Sequence, residues 1–85
     1  MVMPTAYILL NSQPNSEIEI ISKINEIMTG QSVKYEIQGV YGVYDIIAKI
    51  ECGNMEDIRN MLGKIRQVNK IISTITMLVN EEQEI

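Results

Sequence analysis

Few side chains in this sequence of 85 residues could carry covalent chemistry. There is no His, and Cys52 is the single cysteine. A Ser, Thr or Cys nucleophile needs a base to activate it, and no basic residue adjoins Cys52 to lower the pKa of its thiol. One chain with these residues cannot assemble a Cys- or His-based metal site. We therefore predict neither an enzyme nor a metal or other cofactor, and expect Cys52 to be a small buried hydrophobic residue.

The loop from Gly39 to Asp45 offers the better candidates for non-covalent chemistry. The Asp45 carboxylate could act as a general base or bind an ammonium group; alternatively, it accepts hydrogen bonds from nearby amides, as in many turns. The segment Gly39-Val-Tyr-Gly42 is too short for a dinucleotide fingerprint, and it lies between two apolar runs rather than before a helix. We therefore do not expect it to bind phosphate groups.

The charge balance argues against nucleic acid as a direct partner. Seven Lys and Arg residues stand against eleven Asp and Glu, for a net charge of -4, and the basic residues are scattered from Lys23 to Lys70. Binding to nucleic acid depends on neutralising several phosphates at once. The sequence also shows neither a signal peptide nor an apolar run long enough to span a membrane. We expect a soluble cytoplasmic protein.

Hydrophobic periodicity predicts four strands. Short apolar or alternating runs, each bounded by Gly, Pro or Asn or by the end of a helix, are typical of strands. These runs cover residues 5–10, 33–38, 44–50 and 71–79.

Two helices are predicted between these strands. Ser16 followed by Glu19 is typical of a capping box, and Gly30 is suited to the left-handed residue that ends a helix. Asn54 predicts the N-cap of a second helix, with acidic residues in its first turn. Gly63 inside that helix indicates close packing against the sheet.

The resulting order, βαββαβ, predicts an α+β fold of the ferredoxin-like type. This is a sandwich in which a four-stranded antiparallel sheet carries two helices on one face. The chain has room for one domain over residues 1–85, with frayed ends at 1–4 and 80–85.

The sheet face without helices should pack against a second copy. The first and last strands are apolar on both sides, with Tyr7 and Leu9 opposing Ile8, and Leu78 opposing Met77. An exposed apolar face of several hundred Å² is unusual on a monomer. We therefore expect a homodimer formed through this open face.

Two segments resemble the C-terminal domain of AsnC/Lrp-type regulators, the RAM domain (regulation of amino acid metabolism). Val40-Tyr-Gly-Val-Tyr-Asp-Ile-Ile-Ala-Lys-Ile-Glu51 is similar to that domain's G-x-Y/F-D loop and the strand after it. Ser73-Thr-Ile-Thr-Met-Leu-Val79 resembles its last strand, which opens T-x-T. The resemblance extends from Ala6 to Val79 and depends on the order and spacing of these short motifs.

The resemblance implies a function. In that family the domain binds amino acids or related small effectors where dimers meet, and the effector tunes assembly into octamers or larger rings. The positions that match the effector-binding loop and the neighbouring strand are Val40, Tyr41, Gly42, Tyr44, Asp45, Thr74 and Thr76.

The sequence departs from the family in two respects. Full-length members carry an N-terminal helix-turn-helix, whereas this sequence opens almost directly on the first strand, so we expect a sensor or a partner of full-length regulators. Asn69-Lys70 replaces the family's Pro-Gly before the last strand, and Asn69 tolerates a left-handed turn.

Other functions stay open at the level of sequence. One is an ACT-like regulatory domain that docks on a metabolic enzyme; another is a purely structural oligomerisation domain. An enzyme such as a small dimeric αβ-barrel oxygenase ranks last, because the sequence offers no catalytic pair.

Overall fold

A computed structural model describes residues 4–80, which form six elements of secondary structure. The elements are β1 (Thr5–Ser12), α1 (Glu17–Met28), β2 (Lys34–Gly39), β3 (Ile46–Glu51), α2 (Met55–Ile65) and β4 (Ile71–Leu78). Their order, βαββαβ, confirms the predicted ferredoxin-like α+β fold, and the strands pair antiparallel in the order β2-β3-β1-β4. The predicted frayed ends, 1–4 and 80–85, lie mostly outside the described residues.

An aliphatic core fills the space between the two helices and one face of the sheet. Strand alternation buries every second residue of β1 and β3, and helical spacing buries one side of α1 and α2. Cys52 is also fully buried, as predicted, and this burial, with a smaller contribution from Asp57, raises the pKa of its thiol. The core residues are Ala6, Ile8, Leu10, Ile20, Ile24, Met28, Ile46, Ala48, Ile50, Cys52, Ile58, Met61 and Ile65.

Helix α1 begins where the sequence predicts, but the capping box is wrong. The backbone of Ser16 (φ -112°, ψ 1°) is not extended, and its side chain makes no capping hydrogen bond. The Glu19 carboxylate instead pairs with Lys70, with Nζ and Oε2 2.8 Å apart. Gly30 is left-handed (φ +89°), as expected just beyond the end of the helix.

Helix α2 confirms one prediction and overturns another. The Asn54 side chain accepts a hydrogen bond from the Asp57 amide at 2.9 Å, so Asn54 is the N-cap. The interpretation of Gly63 as a close-packing position is wrong, because a Cβ atom there would meet no atom within 4 Å apart from its chain neighbours and the backbone of its own helix.

The turn between α2 and β4 also differs from expectation. Lys70, rather than Asn69, adopts the left-handed conformation, with φ +75°. Two contacts hold Lys70: its carbonyl accepts from the Gln13 amide at 2.9 Å, and its ammonium pairs with Glu19. Lys70 therefore links the end of β1, the start of β4 and the first turn of α1.

The open face of the sheet is divided into two halves. Cross-strand pairing places Tyr7 opposite Met77 and Leu9 opposite Ile75, so the β1–β4 half is apolar. The β2–β3 half carries four charged residues, of which Lys49 and Glu51 form an ion pair at 3.4 Å. Its charged residues are Lys34, Glu36, Lys49 and Glu51.

Candidate ligand-binding site

The hairpin between β2 and β3 is built on a short, well-anchored loop. Val40 donates its amide to the Asp45 carbonyl at 2.8 Å, and Asp45 donates its own to the Leu10 carbonyl of β1 at 2.9 Å. Gly42 has φ +151°, a conformation that L side chains rarely adopt. The loop is therefore fixed at its base while its tip projects from the sheet.

The Asp45 carboxylate is oriented by β1. Its Oδ2 atom accepts from the Ser12 amide at 2.9 Å and lies 3.4 Å from the Ser12 hydroxyl. The Asp45 carboxylate thus accepts a hydrogen bond from a nearby amide, which is one of the two roles considered from the sequence. This hydrogen bond fixes the direction of the carboxylate. Oδ1 has no hydrogen-bond partner among residues 4–80, so the role as an ammonium ligand is compatible with the same geometry.

Three of the predicted site residues line one pocket of about 420 Å³. Val40, Tyr41 and Asp45 form its wall together with Glu17 and Gly39. Glu17 is the first residue of α1, and no sequence motif singled it out. It joins the pocket because the start of α1 packs beside the hairpin, a contact that no local spacing reveals.

The other loop residues lie beside this pocket rather than in its wall. Gly42 and Tyr44 belong to the same loop, and Tyr44 is half-buried. Tyr41 is fully exposed and Val43 is 84% exposed, so the tip presents apolar side chains to solvent. We refer to Val40, Tyr41 and Val43 as the hairpin patch.

The two threonines are not brought into this pocket by a single copy. Thr74 pairs with Leu10 and Thr76 with Ile8, so β1 separates both from β3. Two strand spacings amount to roughly 10 Å. The Oγ1 atom of Thr76 is moreover buried and has no hydrogen-bond partner within the described residues. One copy therefore assembles the loop residues and leaves the threonines apart.

A larger groove of about 700 Å³ lies between the two helices and contains none of the predicted residues. Three lysines and two glutamates line it, and most of these charges are paired. Lys23 contacts Glu26 at 3.4 Å, and Lys70 contacts Glu19 at 2.8 Å. Internal pairing leaves this groove little net charge with which to select a small ionic ligand, so we favour the hairpin pocket.

No group of three His, Cys, Asp or Glu side chains within residues 4–80 is placed to hold a metal ion. No helix in that range is long and apolar enough to cross a membrane.

Known proteins similar to this chain include a regulator and several solved structures. An uncharacterised HTH-type transcriptional regulator of Pyrococcus horikoshii is 31% identical over 75 residues, which cover 87% of this chain and 49% of the regulator. This chain thus spans about half the length of the curated relative that it matches. No protein-family model matches the sequence.

Two solved structures match over nearly their whole length. The structure of FFRP-DM1 is 33% identical with a TM-score of 0.75, and the match covers 92% of this chain and 100% of that one. A hypothetical protein from Pyrococcus horikoshii has the same identity of 33% and TM-score of 0.75, over 95% of this chain and 94% of its own. E. coli AsnC shares the fold, with a TM-score of 0.75 at 19% identity over 96% of this chain and 54% of AsnC.

Proposed function

The chain belongs to the AsnC/Lrp family of transcription regulators, and on that premise we propose that it is an amino-acid-sensing and self-associating module that holds its effector between subunits. The observation that carries the proposal is the pocket beneath the family's G-x-Y/F-D loop. Val40, Tyr41 and Asp45 line this pocket, and Gly42 lies in the same loop.

The chemistry of the pocket suits a free amino acid. Ser12 orients the Asp45 carboxylate through Oδ2, which leaves Oδ1 to accept a hydrogen bond from an α-ammonium group. Gly42 has no side chain, so the backbone amides around it can approach a carboxylate closely. Val40 and Tyr41 supply apolar surface for the effector's side chain.

Self-association is supported by the apolar half of the open face and by the hairpin patch. Both expose large apolar side chains, including Met77 at 51% and Val43 at 84%. Thr74 lies too far from Asp45 to share its pocket within one copy. A site that contains both residues, as the resemblance implies, requires a second copy to complete it.

We propose that the module does not bind DNA itself. The net charge of -4 and the scattered basic residues provide no surface that could neutralise several phosphates. It would act on transcription through other proteins, such as full-length regulators of the same family that co-assemble with it. The Pyrococcus horikoshii relative is named as a transcriptional regulator, which supports a regulatory rather than an enzymatic role.

The test is calorimetric titration with each of the twenty amino acids, combined with sedimentation velocity with and without each one. We expect one or a few amino acids to bind and to change the size of the assembly. Asp45→Asn should reduce affinity at least about tenfold, since it removes the charge yet keeps an acceptor for the Ser12 amide. Glu26→Gln, on the far side of α1, is the matched control and should leave affinity unchanged.

The sensing proposal fails if no amino acid binds and the size of the assembly never changes. An unaltered affinity in Asp45→Asn would remove Asp45 from the site while leaving the sensing function in place.

A further inference from the structure

The hairpin pocket is lined by two carboxylates and by no basic side chain. Its wall consists of Glu17, Gly39, Val40, Tyr41 and Asp45. Glu17 and Asp45 are both half-buried, and neither forms an ion pair with another residue of the range 4–80. The α-ammonium group of a bound amino acid would match one of these two carboxylates. The other carboxylate still lacks a cationic partner.

The position of Glu17 contrasts with that of Glu19, two residues further along α1. Both lie in the first turn of the helix, where the helix dipole favours a carboxylate. The Glu19 carboxylate is neutralised by the Lys70 ammonium at 2.8 Å, whereas Glu17 lines the same pocket as Asp45. Two like charges in one concave site repel each other, and a bound cation relieves that repulsion.

The rest of the pocket wall also suits a cationic side chain. Tyr41 is fully exposed, so its ring is accessible to a ligand, and the face of an aromatic ring attracts an ammonium or guanidinium group. Val40 provides apolar surface for a methylene chain, which Lys and Arg side chains carry below the charged group. The volume of about 420 Å³ lies within the range of roughly 300–1,000 Å³ that is usual for small-molecule sites.

We infer that the effector is an α-amino acid with a cationic side chain, such as lysine or arginine, and that Glu17 selects it. The inference rests on the proposed function, in which Asp45 accepts a hydrogen bond from the α-ammonium group. The Glu17 carboxylate pairs with the charged end of the effector's side chain, whose methylene groups lie against Val40 and Tyr41. A neutral side chain would leave Glu17 unmatched, and an acidic one would add a third negative charge.

Completion of the site by a second copy would not supply the missing cation. Thr74 and Thr76 are the residues that the family resemblance adds to the site, and their strand, Ile71–Leu78, contains no charged residue. Their hydroxyl groups can donate hydrogen bonds to the effector's carboxylate, but they cannot neutralise Glu17.

Calorimetric titration of the full chain with matched pairs of amino acids tests the inference. Norleucine lacks the side-chain ammonium of lysine, and citrulline replaces the guanidinium of arginine with a neutral group. We expect lysine, arginine or both to bind at least about tenfold more tightly than the neutral counterpart, because only the charged side chain makes a charge-assisted pair. This preference should decrease as the salt concentration rises.

The Glu17→Gln variant tests the selecting residue. It should weaken binding of the basic amino acid at least about tenfold and leave the neutral counterpart within about twofold, so that the preference disappears. Glu17→Asp keeps the charge and should retain part of the preference. Glu56→Gln is the matched control, because it removes the same charge from an exposed position in the first turn of α2. It should leave both affinities unchanged.

A preference for the basic amino acid that Glu17→Gln abolishes and Glu56→Gln preserves supports the inference. If norleucine and citrulline bind as tightly as their charged counterparts, or if Glu17→Gln keeps the preference, the inference is overturned while amino-acid sensing stands. If none of the twenty amino acids binds, the inference fails together with the proposed sensing function.

Discussion

The two edge strands of the sheet, β2 and β4, differ in the charge and polarity of their exposed side chains. On β2, Lys34 and Glu36 are exposed and face water, and the Tyr35 hydroxyl donates to the Asn25 side chain of α1 at 2.7 Å. On β4 there is no charge, and apolar side chains are exposed on both faces. The β2 edge is thus charged and hydrogen-bonded to α1 within one copy, whereas the β4 edge presents uncharged, apolar side chains to solvent. Under the self-association proposed above, the second copy is therefore expected on the β4 side of the domain.

The largest effect is expected from a charge placed in the apolar half. Met77→Lys should weaken self-association at least about 100-fold, since it puts an unpaired ammonium group against a second apolar surface. Gln38→Lys makes the same change on the open face of β2, and it should leave association within about twofold of the wild type. Sedimentation equilibrium of both variants measures the difference.

If Met77→Lys and Gln38→Lys weaken association equally, the interface spans the whole open face and the contrast between the edges disappears. If neither does, self-association does not use this face.

A smaller effect is expected where β2 is held to α1. Tyr35→Phe removes the hydroxyl that donates to Asn25 and should lower the free energy of unfolding by about 1 kcal/mol. Tyr41→Phe is the control, because the Tyr41 side chain is fully exposed, and it should not change stability. Urea denaturation of the two variants provides the comparison; equal midpoints would mean that the hydroxyl does not hold the β2 edge.

The smallest effect is expected on β4, where one substitution should raise the free energy of unfolding rather than lower it. Thr76→Val replaces a buried hydroxyl that has no partner within the described residues, and it should raise the free energy of unfolding by up to about 1 kcal/mol. The measurement belongs in the Met77→Lys background, where association does not contribute. Thr74→Val is the control, because Thr74 lies two residues away on the same face of β4 and its hydroxyl is not buried without a partner. A loss of stability in Thr76→Val alone would show that the hydroxyl has a partner.

The order of elements could be predicted because each depends on short-range periodicity. Asn54 was identifiable as a cap for the same reason, since its acceptor and the Asp57 amide are three residues apart. The Ser16 capping box failed because the Ser16 amide donates to the Gln13 carbonyl at 3.2 Å, and the Glu19 carboxylate pairs with the distant Lys70. Gly63 misled because a glycine in a helix looks the same in sequence whether its surroundings are crowded or open.

The candidate site shows the same limit. Val40, Tyr41 and Asp45 are neighbours in sequence, so one turn brings them together, and a short motif sufficed to predict that grouping. Glu17 enters through the packing of α1, which the motif does not encode. Thr74 was predicted to lie beside them from the resemblance alone, and in one copy β1 separates the strand of Thr74 from β3. Sequence reasoning located the part of the site that is local in the chain.

The Cys52 thiol can report on local or global opening of the hydrophobic core. As the single thiol, fully buried and with a raised pKa, it is shielded from electrophilic dyes while the core stays closed. The rate at which a thiol reagent modifies the native protein therefore follows the rate or population of core opening, with no engineered label. The same burial is expected to keep the Cys52 thiol out of intermolecular disulfides while the core stays closed.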